Sequence, residues 1–457
     1  MQHLFEYGEW VSLKDTDGLR TFLQAIWESW PSTLAQELED TEEGSSRNYQ
    51  PFFQFSGDDI RARNFVGFVQ YDNQLLEIYP KTFRSSNCPD KSIMLQHIFF
   101  WLSYCRKWQF PFTQANLDRR DVDSFPELII YLITKQFLHV VSTQPLMQYE
   151  EVEEPLRTPR GRINFNRYIK NGIVNARYHH IDCDYEPFIY DNRVNRIIKY
   201  CTRLLLNRTR IPENIKTLQE IIFILDEVND LPCTPKDLDA ISLNAFQYEY
   251  ELLLETCRLI MNQQIYSHNT YNLSQWCLLL PMEYIFEDFI AGFLKINFST
   301  EWDVEYQKSN MNFSSDPAAF QMNHDILLTS KRDKGNKIII ETKYKLRDKE
   351  FKENKKRGVS QSDMYQVASY GFRRGCKNVL LLYPNISEMI SPADKFTIQS
   401  EFPGGPRIVV NAMEVPFWSI ENFDLLSERL RSFFTQILKN YEEENKGKLS
   451  MSSINSF

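Results

Sequence analysis

The spacing of hydrophobic and polar positions along the chain predicts both strands and helices. Residues 50–85 alternate in the manner of half-buried strands. The runs SIMLQHIFFWLSYCRKW, PELIIYLITKQFLHVV, DNRVNRIIKYCTRLLLNRT and IKTLQEIIFILDEV have apolar faces at helical spacing. From about residue 273 the pattern indicates a helix, a hairpin, a second helix and the strands NVLLLYP and RIVVNAMEV. The chain is therefore expected to have a mixed α/β fold.

Changes in these patterns divide the chain into five expected stretches. At 457 residues, of which 42% are hydrophobic and 14% aromatic, the chain can form two or three packed domains. The stretches are a helical extension ending in the acidic linker ELEDTEEGSS (1–45), an α+β domain (46–170), a helical middle region (171–272), a second α/β domain (273–440) and a disordered tail (441–457).

The stretch HDILLTSKRDKGNKIIIETKYK is the most informative part of the chain. It predicts two strands joined by a turn near Asp333 and Gly335. Residues two apart on a strand share a face, so Glu341 and Lys343 project together. If the strands pair in that register, Asp325 lies opposite Glu341, with the side chains roughly 5 Å apart. The hairpin would then bring two carboxylates and a lysine to one place.

Phosphodiester hydrolysis needs this combination of residue types. Mg²⁺ is held by one or two carboxylates and keeps several waters, so Asp325 and Glu341 would form a metal site. The cation neutralises the scissile phosphate and lowers the pKa of the attacking water. Lys343 could orient or deprotonate that water if its own pKa is lowered, or offset charge on the phosphate. The alternative is an exposed strand with alternating charged residues.

The segments next to the predicted hairpin support its interpretation as a functional site. IIIE is apolar up to the charge, as in a buried strand that ends at a functional site. SQSDMYQVASYGFRRG is helical in pattern and places Gln366 and Tyr370 one turn apart on one face. Upstream, the amphipathic helix PMEYIFEDFIAGFL carries Glu283 and Glu287, for which a catalytic role and an ordinary solvated position both remain open.

The order of helix Glu, strand Asp, strand E-x-K and helix Q-x-x-x-Y resembles the PD-(D/E)xK nucleases, and more closely the McrC subunits of McrBC-type restriction systems. Three further blocks of the chain are similar to that family. They are NFVGFVQYDNQLLEIYPKTF (Gly67, Glu77, Pro80, Lys81), RTPRGRINF (Arg160, Gly161, Arg162, Ile163) and CDYEPFIYDNRVNRIIKY (Cys183, Tyr185, Asp191, Asn195, Lys199). His324 stands where the family usually has proline, and Glu341 where aspartate is commoner.

The resemblance implies a partner-binding N-terminal α+β domain and a C-terminal restriction-endonuclease-like domain. It assigns metal binding to Asp325 and Glu341, catalysis to Lys343, and supporting roles to Glu287, Gln366 and Tyr370. Glu287 is preferred to Glu283 because the family has a Phe-Glu pair at this place. The implied cofactor is Mg²⁺, with Mn²⁺ as a substitute.

The charge of the chain is unevenly distributed. The formal net charge is −9, yet eight basic and only three acidic residues lie between Lys343 and Arg357. Because affinity for phosphates depends on local patches, this run predicts a cationic rim beside the site. The expected DNA-binding residues are Lys345, Lys352, Lys355, Lys356, Arg357 and Arg373.

The expected partners follow from a missing motif and from the resemblance. No G-x-x-x-x-G-K-[ST] loop occurs, so the chain should not hydrolyse nucleotides itself. The resemblance implies a separate McrB-type AAA+ GTPase, which recognises and translocates modified double-stranded DNA and which the N-terminal half of this chain engages and stimulates. Cutting both strands with one site per chain would take two copies in the full complex, or two successive nicks.

The composition of the chain indicates its cellular location and argues against a zinc site. Eight cysteines without CxxC spacing predict buried free thiols and no zinc site. No apolar run approaches a membrane span and no basic, apolar leader opens the sequence, so a cytoplasmic chain without membrane contact is expected.

Two other functions stay open. A catalytically idle regulatory subunit of the GTPase is disfavoured by the intact set of Asp325, Glu341 and Lys343. A stand-alone structure-specific nuclease is disfavoured by the large half of the chain outside the nuclease-like region.

Overall fold

The chain is organised as two units, and the second is an insertion in the sequence of the first. In the computed structural model, the first unit comprises Met1–Asp123 and Cys277–Phe457, and the second comprises Ser124–Trp276. The structure describes residues 2–29, 50–72, 74–84, 90–106, 124–149, 151–244, 247–265, 276–306, 311–347, 355–385, 392–401, 405–419 and 423–452.

The N-terminal part of the first unit contains short strands and two helices. In chain order these are β1 (Gln2–Phe5), β2 (Val11–Ser12), α1 (Thr16–Ser29), β3 (Phe53–Ser56), β4 (Asp59–Ala62), β5 (Phe65–Tyr71), β6 (Gln74–Tyr79), a 3₁₀ turn (Lys81–Phe83) and α2 (Lys91–Tyr104). β1 pairs in parallel with β6, which pairs antiparallel with β5. β2, β4 and β3 form a separate antiparallel sheet.

The second unit is mainly helical. It contains α3 (Phe125–Thr143), β7 (Gln148–Tyr149), β8 (Val152–Leu156), β9 (Arg162–Ile163), α4 (Phe165–Arg167), a π-helical turn (Tyr168–Ile173), β10 (Ile181–Tyr185), β11 (Phe188–Ile189), α5 (Arg193–Leu206), α6 (Pro212–Ile224), α7 (Pro235–Asp239) and α8 (Tyr248–Ile265). α3, α5, α6 and α8 pack against one another. Two small sheets, β8-β10-β9 and β11-β7, complete the unit.

The chain returns to the first unit through a buried strand. The elements from there on are β12 (Trp276–Pro281), α9 (Met282–Phe298), β13 (Trp302–Tyr306), β14 (Asn312–Ser315), β15 (Ala318–Gln321), β16 (Ile326–Ser330), β17 (Lys337–Thr342), α10 (Gln361–Arg374), β18 (Asn378–Pro384), β19 (Asp394–Gln399), β20 (Arg407–Val415) and α11 (Phe423–Ser452). β12 pairs with β5, so the N-terminal and C-terminal parts share a sheet. Gly67 permits this contact, because a Cβ there would lie 1.9 Å from the Leu278 carbonyl oxygen.

A six-stranded mixed sheet forms the centre of the C-terminal part, in the order β13-β16-β17-β18-β20-β19. β16 and β17 form an antiparallel hairpin, and β17, β18 and β20 run parallel. Ile339, Leu381 and Tyr370 belong to one hydrophobic core cluster, so α10 covers the sheet face to which Ile339 points. Parallel central strands buried on both faces explain the apolar runs IIIE and NVLLLYP.

The opposite side of β17 is packed by aromatic side chains from α9 and from the chain after β20. The Tyr344 ring lies 6.0 Å from Phe286 and 6.2 Å from Phe417. Phe417 in turn stacks on Trp101 of α2 with ring centroids 3.9 Å apart. The N-terminal helix α2 is thus part of the core that supports the central sheet.

The mixed α/β expectation is confirmed, whereas the expected domain boundaries differ from the structure. Residues 2–5 and 11–12 are strands instead of a helical extension, because β1 finds a partner in β6. The boundary near residue 170 is also wrong: the inserted unit begins at Ser124, so the expected α+β domain is divided between the two units. The acidic linker lies outside the described residues.

The C-terminal tail also departs from expectation. α11 continues to Ser452, so residues 441–452 are helical where the sequence predicts disorder. Its earlier turns bury Leu426, Leu430 and Phe434, and a helix that is nucleated by packing can propagate beyond the packed part. Within the described stretches, no helix has the length and apolar character of a membrane span. All seven cysteines of those stretches are free, as expected.

Candidate active site

The predicted hairpin is present and brings the two carboxylates together. Its turn is closed by Asp333, whose side chain accepts from the Gly335 amide at 2.9 Å. Ile326 pairs with Ile340, so Asp325 and Glu341 occupy the next opposed positions on the two strands. The sequence register was therefore correct.

Asp325 is anchored by the residue after Glu341. The Thr342 amide and hydroxyl both donate to Asp325 Oδ2, at 2.7 and 2.6 Å. This double contact fixes one carboxylate oxygen across the hairpin. It thereby holds the end of β17 against the start of β16.

Glu341 is a buried carboxylate in an unfavourable electrostatic position. Its exposed fraction is 1%, and its Oε2 atom has no hydrogen-bond partner. Burial, and next the nearby Asp325 charge, raise the pKa of Glu341 to about 8. Two adjacent carboxylates in a desolvated place favour either a proton or a cation between them.

Lys343 partly compensates this charge. Its Nζ atom donates to Glu341 Oε1 at 2.9 Å, and 20% of its side chain is exposed. Burial disfavours the charged ammonium, but Glu341 and Asp325 outweigh that effect and raise the pKa of Lys343 above its ordinary value. General-base action would require a lowered pKa, whereas the two carboxylates shift the pKa of Lys343 in the opposite direction.

Gln366 and Tyr370 lie beside this centre, as the helical spacing predicts. Gln366 Nε2 donates to Tyr370 Oη at 2.9 Å, and Tyr370 Oη donates to the Asn323 carbonyl at 2.8 Å. Burial, followed by the charge of Glu341, raises the pKa of Tyr370 to about 12. α10 thus holds a neutral phenol near the carboxylates and ties it to the chain just before Asp325.

Asp363 is a site residue that sequence reasoning missed. Its exposed fraction is 5%, and its carboxylate accepts from Lys345 Nζ at 3.2 and 3.3 Å. Ser360 caps α10 by accepting from the Asp363 amide at 3.0 Å. The S-x-x-D spacing of a helix start could have placed Asp363 in the first turn of α10, on the face that carries Gln366.

The helix glutamates lie on α9. Glu287 is half-buried, whereas Glu283, one turn earlier, is exposed. The charge of Glu283 contributes to the raised pKa of Tyr344, after burial and the closer Glu6 carboxylate. This places Glu283 near Glu6 and Tyr344, and a catalytic role for Glu287 stays a prediction.

The basic rim is smaller than the sequence predicts. Arg347 is buried and pairs with Asp394, which also accepts from Arg357 Nη1 at 3.0 Å. Arg373 donates to the Asn312 carbonyl and to Ser315 Oγ, both at 3.0 Å. Lys355, Lys356 and Arg357 are exposed, and Lys352 lies outside the described residues.

Two polar positions of the third family-like block, Asn195 and Lys199, have structural roles in the second unit. The buried Lys199 ammonium donates to the carbonyl oxygens of Leu225 and Val228, at 2.9 and 2.6 Å, just after α6. Asn195 donates to the Leu146 and Tyr190 carbonyl oxygens, at 2.9 and 2.8 Å. Lys199 and Asn195 of this family-like block therefore satisfy buried backbone groups.

Comparison with solved structures identifies the class of fold. The chain is similar to a chain in the refined half-complex from the tetradecameric assembly of Thermococcus gammatolerans McrB AAA+ hexamers with bound McrC. The TM-score is 0.70 and the sequence identity 18%, and the match covers 96% of this chain and 100% of that chain. It also matches the cryo-EM structure of the Thermococcus gammatolerans McrBC complex, with a TM-score of 0.46 and 20% identity over 65% and 88% of the two chains. No curated protein matches the chain.

The sequence then identifies the family. Residues 60–384 match the model of the McrBC 5-methylcytosine restriction system component, and the chain belongs to that family. The matched region includes the N-terminal blocks, Asp325, Glu341, Lys343 and the helix with Tyr370. The resemblance predicted from these motifs is thereby confirmed.

Proposed function

We propose that this McrBC-family chain is the Mg²⁺-dependent endonuclease subunit of a modification-dependent restriction system. The observation that carries the proposal is the juxtaposition of Asp325, Glu341 and Lys343 at one end of the central hairpin. A regulatory subunit would have no need for two opposed carboxylates at a place where burial, and next the Asp325 charge, raise the pKa of Glu341 to about 8.

The donor set fits a small divalent cation. Glu341 has a buried oxygen without a hydrogen bond, and Asp325 stands opposite on the neighbouring strand. Within the described residues no group of three or more His, Cys, Asp and Glu side chains forms a metal cage. A pair of carboxylates that leaves several positions to water is the arrangement that suits Mg²⁺, and Mn²⁺ as its substitute. When bound, the cation would neutralise the scissile phosphate and acidify the attacking water.

The protein side chains around the pair supply charge and orientation. Lys343 stays protonated and would stabilise negative charge that develops on the phosphate. Tyr370, which accepts from Gln366 and donates to the Asn323 carbonyl, would hold the backbone just before Asp325 in place. The backbone of double-stranded DNA would be contacted by Lys345, which Asp363 holds at the edge of the site, and by the exposed Lys355 and Lys356.

We further propose that the chain acts with a McrB-type AAA+ GTPase. The fold resembles that of a chain from an assembly of McrB hexamers with bound McrC, and the matched family is a restriction system component. The GTPase would deliver modified DNA and be stimulated by this chain. Two copies of the chain in the full complex would allow both DNA strands to be cut.

Cleavage of modified plasmid tests the proposal. The purified chain is incubated with Mg²⁺, alone and with a McrB-type GTPase plus GTP, and compared with Asp325→Ala and Lys343→Ala. We expect cleavage only in the complete mixture, and a loss of about 100-fold or more in both variants with assembly intact. Asp303→Ala is the matched control, because Asp303 lies on β13 of the same sheet with 57% of its side chain exposed.

Each contrary result favours a different function. Faster GTP hydrolysis without cleavage under any condition would favour an idle regulatory subunit. Cleavage by the chain alone at the full rate would favour a stand-alone nuclease. Equal losses in Asp303→Ala and Asp325→Ala would show that the site residues have no special role.

A further inference from the structure

A second buried carboxylate lies on the other side of the catalytic strand. Glu6, which follows β1, is fully buried, and its backbone amide donates to the Tyr79 carbonyl at 3.0 Å. Glu6 Oε2 accepts from the Lys81 amide at 2.9 Å and from the Tyr344 hydroxyl at 2.8 Å. This carboxylate therefore joins the ends of β1 and β6 to the chain just beyond β17.

Tyr344 is at the centre of a tight turn between two lysines of the site. The Lys345 amide donates to the Lys343 carbonyl at 2.8 Å, which closes a three-residue turn around Tyr344. Lys343 bonds to Glu341, and Lys345 to Asp363, while the Tyr344 side chain extends to Glu6. The orientation of Tyr344 therefore sets the direction in which the Lys343 and Lys345 side chains leave the backbone.

The Tyr344 ring is held on several sides. Lys81 Nζ lies 4.2 Å from the ring centroid and donates to Asn64 Oδ1 at 3.5 Å. Phe286 and Phe417 contact the same ring. A desolvated ammonium above a tyrosine ring adds an attraction that a solvated one would not give. The hydroxyl and the ring are therefore both fixed, which leaves the turn little freedom.

We infer that Glu6 is a positioning residue for Lys343 and Lys345 and acts through the Tyr344 hydroxyl. This role rests on the proposed nuclease function, because Lys343 and Lys345 belong to the same site. Electrostatic stabilisation of a transition state depends on charges that are already in place before the reaction. A lysine on the last residues of a strand would otherwise sample several positions.

Tyr344→Phe is the direct test, in the full chain with its GTPase, GTP, Mg²⁺ and modified DNA. Removing one hydrogen bond that orders a catalytic charge should lower the turnover rate about tenfold. The DNA concentration for half-maximal rate should rise by no more than about twofold, because Lys345 is one of several lysines that would contact the DNA. Tyr104→Phe is the matched control, since it removes another buried tyrosine hydroxyl in the same unit, one 3.4 Å from Ser427 Oγ.

Glu6 variants separate positioning from folding. Glu6→Gln keeps an oxygen that can accept from Tyr344 and should retain most activity, whereas Glu6→Ala should resemble Tyr344→Phe. Because the two residues act as one unit, the double variant should lose no more than either single variant. Additive losses, or a loss in Glu6→Gln equal to that in Glu6→Ala, would overturn the inference.

Hydrogen exchange gives a readout that does not depend on cleavage. The Lys343 amide donates to the Leu382 carbonyl at 2.8 Å, so its exchange reports on the end of β17. We expect about tenfold faster exchange there in Tyr344→Phe, with β13 unchanged. Unchanged exchange at Lys343 would overturn the inference even if the wild type cleaves DNA. An inactive wild type with this local change would refute the nuclease proposal and leave the positioning contact standing.

Discussion

The two sides of β17 carry similar sets of residues in different arrangements. On one side, the buried Glu341 is near Lys343 and Tyr370. On the other, the buried Glu6 is near Lys81 and Tyr344. Burial raises the pKa of both carboxylates, to about 8 for Glu341 and about 7 for Glu6.

The difference lies in what else faces each carboxylate. Asp325 stands directly opposite Glu341, whereas the acidic neighbour of Glu6 is the exposed Glu283. Lys343 bonds to its glutamate, while the Lys81 ammonium lies over aromatic rings. A buried glutamate with a lysine and a tyrosine is thus not enough to define a metal site. The second carboxylate distinguishes the proposed cation site from an internal tether.

The largest expected effect contrasts the two glutamates directly. Glu341→Gln should lower Mg²⁺-dependent cleavage by about 10²–10³-fold, because a neutral amide is a weak ligand for a hard cation. Glu6→Gln should retain activity within a few-fold, since its hydrogen bonds need only an acceptor. Initial rates at saturating DNA measure both. Comparable losses in the two variants would remove the distinction.

The next effect is expected on the pH dependence of folding stability in the absence of metal. The folded-state pKa of Glu341 is about 8, above its ordinary value of 4.5, so the folded chain binds the extra proton between those values. Stability should therefore fall as pH rises through this window, by roughly 5 kcal/mol, since each pKa unit corresponds to about 1.4 kcal/mol. In Glu341→Gln that part of the pH dependence should vanish.

Urea midpoints at pH 5 and pH 9, measured with chelator, test this change. Glu6→Gln is the comparison, since the pKa of Glu6 is about 7 and its contribution should end near that pH. If the wild type became more stable than Glu341→Gln between pH 5 and pH 9, the raised pKa of Glu341 beside Asp325 would be contradicted.

The smallest effect is the stabilisation by Mg²⁺. At about ten times its dissociation constant, a cation that binds only the folded chain adds about 1.4 kcal/mol, which corresponds to about 2 °C for a chain of this size. The shift should occur in the wild type and in Glu6→Gln, and be absent in Asp325→Ala. Differential scanning fluorimetry measures it. An equal shift in Asp325→Ala would place the cation elsewhere.

Local patterns were sufficient to predict the hairpin and the helix beside it. The turn residues Asp333 and Gly335 and the apolar run before Glu341 fixed the register, and helical spacing put Gln366 beside Tyr370. These features depend on neighbours in sequence, so periodicity determines them. The protonation state of Lys343 was not predictable in this way, because it depends on the balance between burial and the two carboxylates.

Contacts between distant segments account for the main errors. The position of β1 depends on β6, and the role of Glu6 depends on Tyr344, so neither has a local signal. The predicted cationic rim counted Arg347, which the fold buries against Asp394. A basic run in sequence gives no information on which of its members are used internally.

The separation between Glu6 and Tyr344 has a consequence for biosynthesis. These residues are 338 positions apart, and Trp101 likewise donates to the Phe417 carbonyl across 316 positions. At about 10 residues per second, roughly half a minute passes between the synthesis of Glu6 and that of Tyr344. β1 can pair with β6 early, but we expect Glu6 to lack its Tyr344 partner until about three quarters of the chain has been synthesised, so that the end of β17 is fixed late in synthesis.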